Sequence, residues 1–240
     1  MKKTLNIAHR GLSGLYPENT MLAFEKAVEI GCDGIETDVQ LTKDGVPVIC
    51  HDEEVDRTTN STGLICEYTY DDLMNLDAGI KFGEEFKGLK IPTLREFLEY
   101  VKDKDIVINL EIKNSIIHYE NIEKITYDLI EEFKMEDKVI VSSFDHYSIR
   151  KCIRLNRKVK TGLLYWDCIF EPFNYVQMVG ADALHPEYNS ITEEIVRRSH
   201  DNNLEVNVYT VNSKEDMKKM IDLKVDAIIT NYPNVLKELL

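Results

Sequence analysis

Eight short runs rich in β-branched and other apolar residues recur along the chain, and a segment of helical character follows each one. The runs are LNIAH, GIETDVQL, DIVINLEIK, KVIVSSF, KTGLLYW, ADALHPEY, LEVNVYTV and VDAIITNY. Between them lie amphipathic stretches such as NTMLAFEKAVEIG, IEKITYDLIEEFK and SKEDMKKMIDL, with apolar residues at helical spacing. PTLREFLEYVK opens with Thr93 three residues ahead of Glu96, the spacing of a capping box. Eight strand–helix units within 240 residues predict a (β/α)8 barrel, the TIM-barrel architecture, over an open doubly wound sheet, which usually has fewer units. Residues 1–240 then form a single barrel domain. The rhythm breaks between Asp52 and Ile91, where the sequence is polar and contains several glycines. A structureless loop of that length is uncommon, so residues 52–91 are expected to form a small inserted subdomain after the second strand, over one end of the barrel.

Hydrophobic residues make up 43% of the chain, enough for a core in a domain of this size. The net charge of −14 argues against nucleic acid as a partner, because phosphate backbones are met by stripes of Lys and Arg. It argues equally against electrostatic docking on anionic lipid, so no stable membrane association is expected. An anionic substrate must find its counter-charge locally. The five cysteines form no CxxC pair and read as reduced, buried thiols. The basic start MKKTLNIAHR has too short an apolar run for a signal peptide, and no apolar run is long enough to span a bilayer. These features predict a soluble cytoplasmic protein.

The stretch from Gly34 to Asp52, GIETDVQLTKDGVPVICHD, holds the main chemical signal. Glu36 and Asp38 lie two apart, so both carboxylates share one face of a strand, while Ile35, Thr37 and Val39 share the other. Asp44-Gly45 suits a two-residue hairpin turn, which pairs Lys43 with Val46 and carries His51 opposite Asp38. On the next barrel strand Glu111 and Lys113 repeat the two-residue spacing, and His9 and Arg10 end the first strand. In a barrel such strand ends form the active-site rim. Three carboxylates gathered there repel one another unless a cation sits among them. An all-oxygen set without thiolates favours a hard ion, Mg2+ or Ca2+.

The string HRG…YPENT…AFEKAVEIGCDGIETDVQLTKDGVPVICHD, continued by DRTTNSTG, LEIK, SSF, VYTVN and DAIITNYP, resembles the glycerophosphodiester phosphodiesterase family over essentially the whole chain. The resemblance implies a TIM barrel that hydrolyses glycerophosphodiesters to glycerol 3-phosphate and an alcohol. It implies His9 and His51 as the acid/base pair, Glu36, Asp38 and Glu111 as ligands of a divalent metal, and Arg10 and Lys113 as phosphate-binding residues. The 52–91 segment resembles the family's small extra subdomain. Two positions depart from the common pattern. Tyr209 stands in YTVN where many members have Trp, and Asn231 stands in TNYP where many have Asp.

His185 and Glu187, around the end of the sixth strand, and Tyr209 are candidates for a substrate wall, with Tyr16, Phe144 and Trp166 beside them. Three alternatives stay open: a lysophospholipase D-like phosphodiesterase, a phosphate-ligand binding barrel without catalysis, and an aldolase-like barrel in which Lys113 forms a Schiff base. The last leaves two rim histidines and three carboxylates without a task.

Overall fold

A computed structural model describes residues 3–240. Its strands are β1 (Leu5–His9), β2 (Gly34–Leu41), β3 (Pro47–Ile49), β4 (Val107–Ile112), β5 (Val139–Ser143), β6 (Lys160–Tyr165), β7 (Ala183–Pro186), β8 (Glu205–Val208) and β9 (Ala227–Thr230). Its helices are α1 (Met21–Glu29), α2 (Tyr70–Leu73), α3 (Leu94–Val101), α4 (Ile122–Glu132), α5 (His146–Leu155), α6 (Pro172–Val179), α7 (Glu193–Asp201), α8 (Lys214–Asp222) and α9 (Pro233–Lys237). The sheet runs β1-β9-β8-β7-β6-β5-β4-β2-β3, and a further β1–β2 pairing closes it. All pairs except β2–β3 are parallel. The result is a closed eight-stranded (β/α)8 barrel with β3 as an extra hairpin strand on its outside.

Side-chain oxygens start most of the long helices. Thr20, Asp145, Thr192 and Ser213 each accept a backbone N–H of the first turn of α1, α5, α7 and α8. Thr93 and Glu96 form the expected capping box on α3. The main apolar cluster lies between the barrel wall and the helices, including Phe24, Ile35, Val39, Phe97, Leu98, Leu110 and Ile130. A smaller cluster, with Ile7, Leu164, Tyr209, Ala227 and Ile229, fills the barrel interior.

The β2–β3 hairpin differs from the two-residue turn expected of it. Val39 faces Ile49 and Leu41 faces Pro47, and Thr42 N–H donates to the Val46 carbonyl at 3.1 Å. The loop is therefore Lys43-Asp44-Gly45, with Gly45 in the left-handed region at φ +78°. A type I turn closed by a left-handed glycine matches strand twist as well as the shorter turn does. It also shifts the register by one: Cys50, not His51, donates to the Asp38 carbonyl, at 3.2 Å.

Residues 52–91 contain no barrel strand. They form α2, two short 3-10 turns and a cluster of their own, in which Val55, Ile65, Leu73, Leu76, Ala78 and Ile91 pack with Val48 and Cys50 of the hairpin. No helix among the described residues is long and apolar enough to cross a membrane.

Candidate active site at the barrel rim

Parallel register decides which side chains meet. His9 lies beside Glu36, and Asp38 beside Glu111, so the four share the inner face at the C-terminal ends of β1, β2 and β4. One oxygen each from Glu36, Asp38 and Glu111 falls within 4.8 Å of the other two, and all three side chains are buried. Burial raises the Glu36 carboxyl well above its usual range, and the neighbouring Asp38 raises it further. Burial likewise raises Glu111. Burial also opposes ionisation of Asp38, but Arg10 and the other cations nearby hold its carboxyl down to about 2. Asp38 Oδ1 is buried with no hydrogen-bond partner among the described residues. A buried, orphaned carboxylate oxygen beside two carboxyls reluctant to ionise fits a divalent cation held by this oxygen set.

The cations of the rim are already engaged with these acids. Lys113 Nζ stands 3.0 Å from Glu111 and 4.0 Å from Asp38. Arg10 Nε is 3.4 Å from Asp38, and its Nη1 donates to Glu18 at 2.9 Å. Arg10 itself has φ +56°, and its N–H donates to both the carbonyl and the carboxylate of Glu36. Gly11 follows at φ +83°, where a Cβ would stand 2.6 Å from the Ala23 carbonyl carbon. The His-Arg-Gly sequence is thus a tight turn only glycine can close.

The two histidines have unlike partners. His9 Nδ1 lies 2.6 Å from Asn231 Oδ1, while its Nε2 faces Glu36 at 3.8 Å. With an amide oxygen at Nδ1, that nitrogen carries the hydrogen and Nε2 the lone pair. Burial pushes the His9 ring down to about 3, with Arg10 adding to the effect. His51 Nδ1 instead faces the Asp52 carboxylate at 2.6 Å. The Gln40 amide positions this residue by donating to three successive carbonyls, of Cys50, His51 and Asp52, at 2.7–3.1 Å.

Of the expected substrate wall, Tyr209 and Glu187 reach the rim and lie side by side in parallel register. Tyr209 meets Phe144 and Trp166 edge-on at 6.1 and 5.8 Å, and the last two stack at 5.3 Å. Tyr16 lies apart from them, edge-on to Phe86 at 5.9 Å. His185 is not brought to the rim. It is 1% exposed, packs over Gly162 in the barrel interior, and its Nε2 lies 3.0 Å from the Asn207 amide.

Several residues of the site have no expected role in the sequence reading. Asn19, within YPENT, donates to Asp38 and accepts from Thr37, both at 2.8 Å. Glu18 binds Arg10, and Arg57 joins Glu18 to Asp52. Glu18 and Asn19 lie in the YPENT string that carries part of the family resemblance, but no role attaches to either there, and a polar cluster ahead of a helix also describes an ordinary cap.

Buried acids and two imidazoles gather at the C-terminal rim of a parallel barrel, the end where enzymes of this fold carry their active sites. The model of the glycerophosphoryl diester phosphodiesterase family matches residues 9–235, and the chain belongs to that family. It is 48% identical over 234 residues to a glycerophosphodiester phosphodiesterase of Caldanaerobacter subterraneus subsp. tengcongensis, covering 98% of this chain and 96% of the relative. It is 44% identical to another from Bacillus altitudinis, covering 95% and 94%. Among solved structures, an Oleispira antarctica phosphodiesterase in complex with the product sn-glycerol-3-phosphate superposes with a TM-score of 0.89 at 28% identity, covering 97% of this chain and 94% of that one.

Proposed function

We propose that this protein hydrolyses glycerophosphodiesters to glycerol 3-phosphate and an alcohol, with His9 and His51 as the acid/base pair. The observation that carries this reading is the opposite dressing of the two rings beside one acidic cluster: an amide oxygen on His9 Nδ1, a carboxylate on His51 Nδ1. Membership of the family and the product held by the Oleispira antarctica neighbour support it.

Glu36, Asp38 and Glu111 would hold a divalent cation, Mg2+ or Ca2+. Such an ion, when bound, offsets phosphodiester charge and acts as a Lewis acid. Arg10 grips phosphate oxygens as a fork, and Lys113 adds a point charge. His9 Nε2, with its free lone pair, takes the proton of the attacking hydroxyl, from water or from the substrate's own glycerol; in the second case the first product is a cyclic phosphate, which water then opens to glycerol 3-phosphate. His51 gives a proton to the departing alkoxide oxygen as the P–O bond breaks. Tyr209 and Glu187, with Phe144 and Trp166, form the wall for the organic arm, and His185 supports that half from beneath. Residues 52–91 act as a subdomain of one 1–240 domain and bring Asp52 and Arg57 to the site. Free thiols at all five cysteines suit a cytoplasmic enzyme of glycerol and lipid metabolism.

A lysophospholipase D-like activity is the second reading, favoured by exposed Ile116, Trp166 and Phe170 on loops at the same end of the barrel. A metal-titrated assay over glycerophosphocholine, glycerophosphoethanolamine and lysophosphatidylcholine tests both, with coupled detection of glycerol 3-phosphate for the first two and of released choline for the lysophospholipid. Release from the first two that stops on chelation is the expected result. Binding without any release would leave only a binding barrel, and borohydride trapping of a carbonyl compound on Lys113 would replace the reading altogether.

A further inference from the structure

We propose that Arg57 is a positioning residue that holds both the proton-donating and the phosphate-binding arms of the site. Arg57 comes from the segment after the hairpin, and about half of its side chain is exposed (49%). An exposed ion pair ordinarily contributes little. This one is built differently. On one edge, Arg57 Nε and Nη2 donate to the two Asp52 oxygens at 2.6 and 3.1 Å. On the other, Nη1 and Nη2 donate to the two Glu18 oxygens at 2.7 and 2.8 Å. Each carboxylate then turns inward: Asp52 to His51 Nδ1 at 2.6 Å, Glu18 to Arg10 Nη1 at 2.9 Å. One planar guanidinium thus fixes the planes of two carboxylates, and each carboxylate aims one reactive side chain. A lysine ammonium has no such fork.

Arg57 makes no contact with the acidic cluster, so it works through His51 and Arg10. The inference rests on the reading of His51 as proton donor to the leaving alkoxide. That task matters for an alkyl leaving group and is dispensable for a p-nitrophenolate, which departs without a proton. The phosphate-binding arm serves both substrates alike. The ratio of kcat/KM for glycerophosphocholine to that for the p-nitrophenyl diester of glycerol 3-phosphate therefore isolates the proton-donating arm. It also cancels the folded fraction of any preparation.

The experiment measures this ratio in the wild type, Arg57→Ala, Arg57→Lys and His51→Ala. Outer partners of functional groups typically cost about 10- to 100-fold when removed. Both Arg57 variants should lower the ratio by that amount, and His51→Ala by at least as much. A ratio unchanged in Arg57→Ala but lowered in His51→Ala would overturn the proposal and leave the function standing. A ratio lowered in Arg57→Ala but kept in Arg57→Lys would overturn the fork and reduce Arg57 to a point charge. An unchanged ratio in His51→Ala would overturn the proton-donor reading and this proposal together.

Discussion

His9 and Asn231 meet at 2.6 Å across the seam where β1 joins β9, nitrogen to amide oxygen. The family resemblance marks position 231 as one where many members carry Asp, so this chain orients its ring with a neutral partner. An amide oxygen fixes the tautomer without adding charge to a site already holding three carboxylates. Asn231→Ala should lower kcat/KM by roughly tenfold, the equivalent of one hydrogen bond of about 1.4 kcal/mol. Asn231→Asp should keep most of the activity, because it preserves the acceptor. Steady-state kinetics on glycerophosphocholine check both, and an alanine variant with unaltered kinetics would show that the ring is held by packing alone.

Removing either ring should cost far more than removing its partner. Loss of a general acid or base costs ~10²–10⁴-fold in rate, so His9→Ala and His51→Ala should fold normally and lose activity by that factor. Circular dichroism establishes the fold and turnover the loss. Near-normal turnover in either variant would remove that histidine from the chemistry.

Glu36 joins stability to metal binding. Its carboxyl is raised by burial and by Asp38, so the ionised trio is destabilising without a cation. A cation present at 100 times its Kd stabilises a folded protein by about 2.7 kcal/mol. In the wild type, Mg2+ or Ca2+ should raise the melting temperature, and chelation should reverse the rise. Glu36→Gln keeps an oxygen for the Arg10 N–H but removes one charge. Its metal-free form should melt at or above the wild type, and added metal should leave its melting temperature unmoved. An equal metal-induced shift in both proteins would take Glu36 out of the ligand set.

The barrel rim was legible because a strand repeats every two residues. Glu36 with Asp38, and Glu111 with Lys113, can only share a face, and parallel register then aligns Asp38 with Glu111. The eight barrel strands follow from the same alternation of apolar runs and helical patterns. The hairpin register slipped by one because Asp-Gly is compatible with two loop lengths, and Gly45 takes its left-handed conformation in both. His51 reached the site regardless, through three hydrogen bonds from Gln40 that no local pattern announces. Glu18 and Arg57 are 39 residues apart, and their pairing depends on how two loops fold over the rim. His185 has the spacing of a rim residue, yet β7 ends beyond it at Pro186 and leaves it one layer down.

Gly11 tests the shape of the His-Arg-Gly turn. A side chain there must adopt φ +83° and stand 2.6 Å from a backbone carbon of Ala23. Gly11→Ala should destabilise by more than about 1 kcal/mol, which lowers the melting temperature of a chain this size by at least ~2–4 °C. Because Arg10 precedes it, the same variant should raise KM. A stable variant with unchanged KM would mean the turn relaxes without moving Arg10.

His185 makes the fold sensitive to acid in a direction that can be worked out. Burial pushes its ring down to about 4 in the folded protein, against about 6.5 in an unfolded chain. Between those values the unfolded chain binds a proton that the native barrel refuses. The contribution of His185 to stability is therefore intact above pH ~6.5, falls as the pH drops, and levels out near pH ~4. The full loss is about 3 kcal/mol, from roughly 1.4 kcal/mol for each pH unit between the two values. His185→Gln keeps a polar group beside Asn207 and has nothing to titrate. It should cost stability near pH ~7.5, through poorer packing over Gly162, and lose less than the wild type on acidification. Urea unfolding at about pH 7.5 and about pH 4.5 measures the difference. Parallel acid losses in the two proteins would place the titrating group elsewhere in the fold.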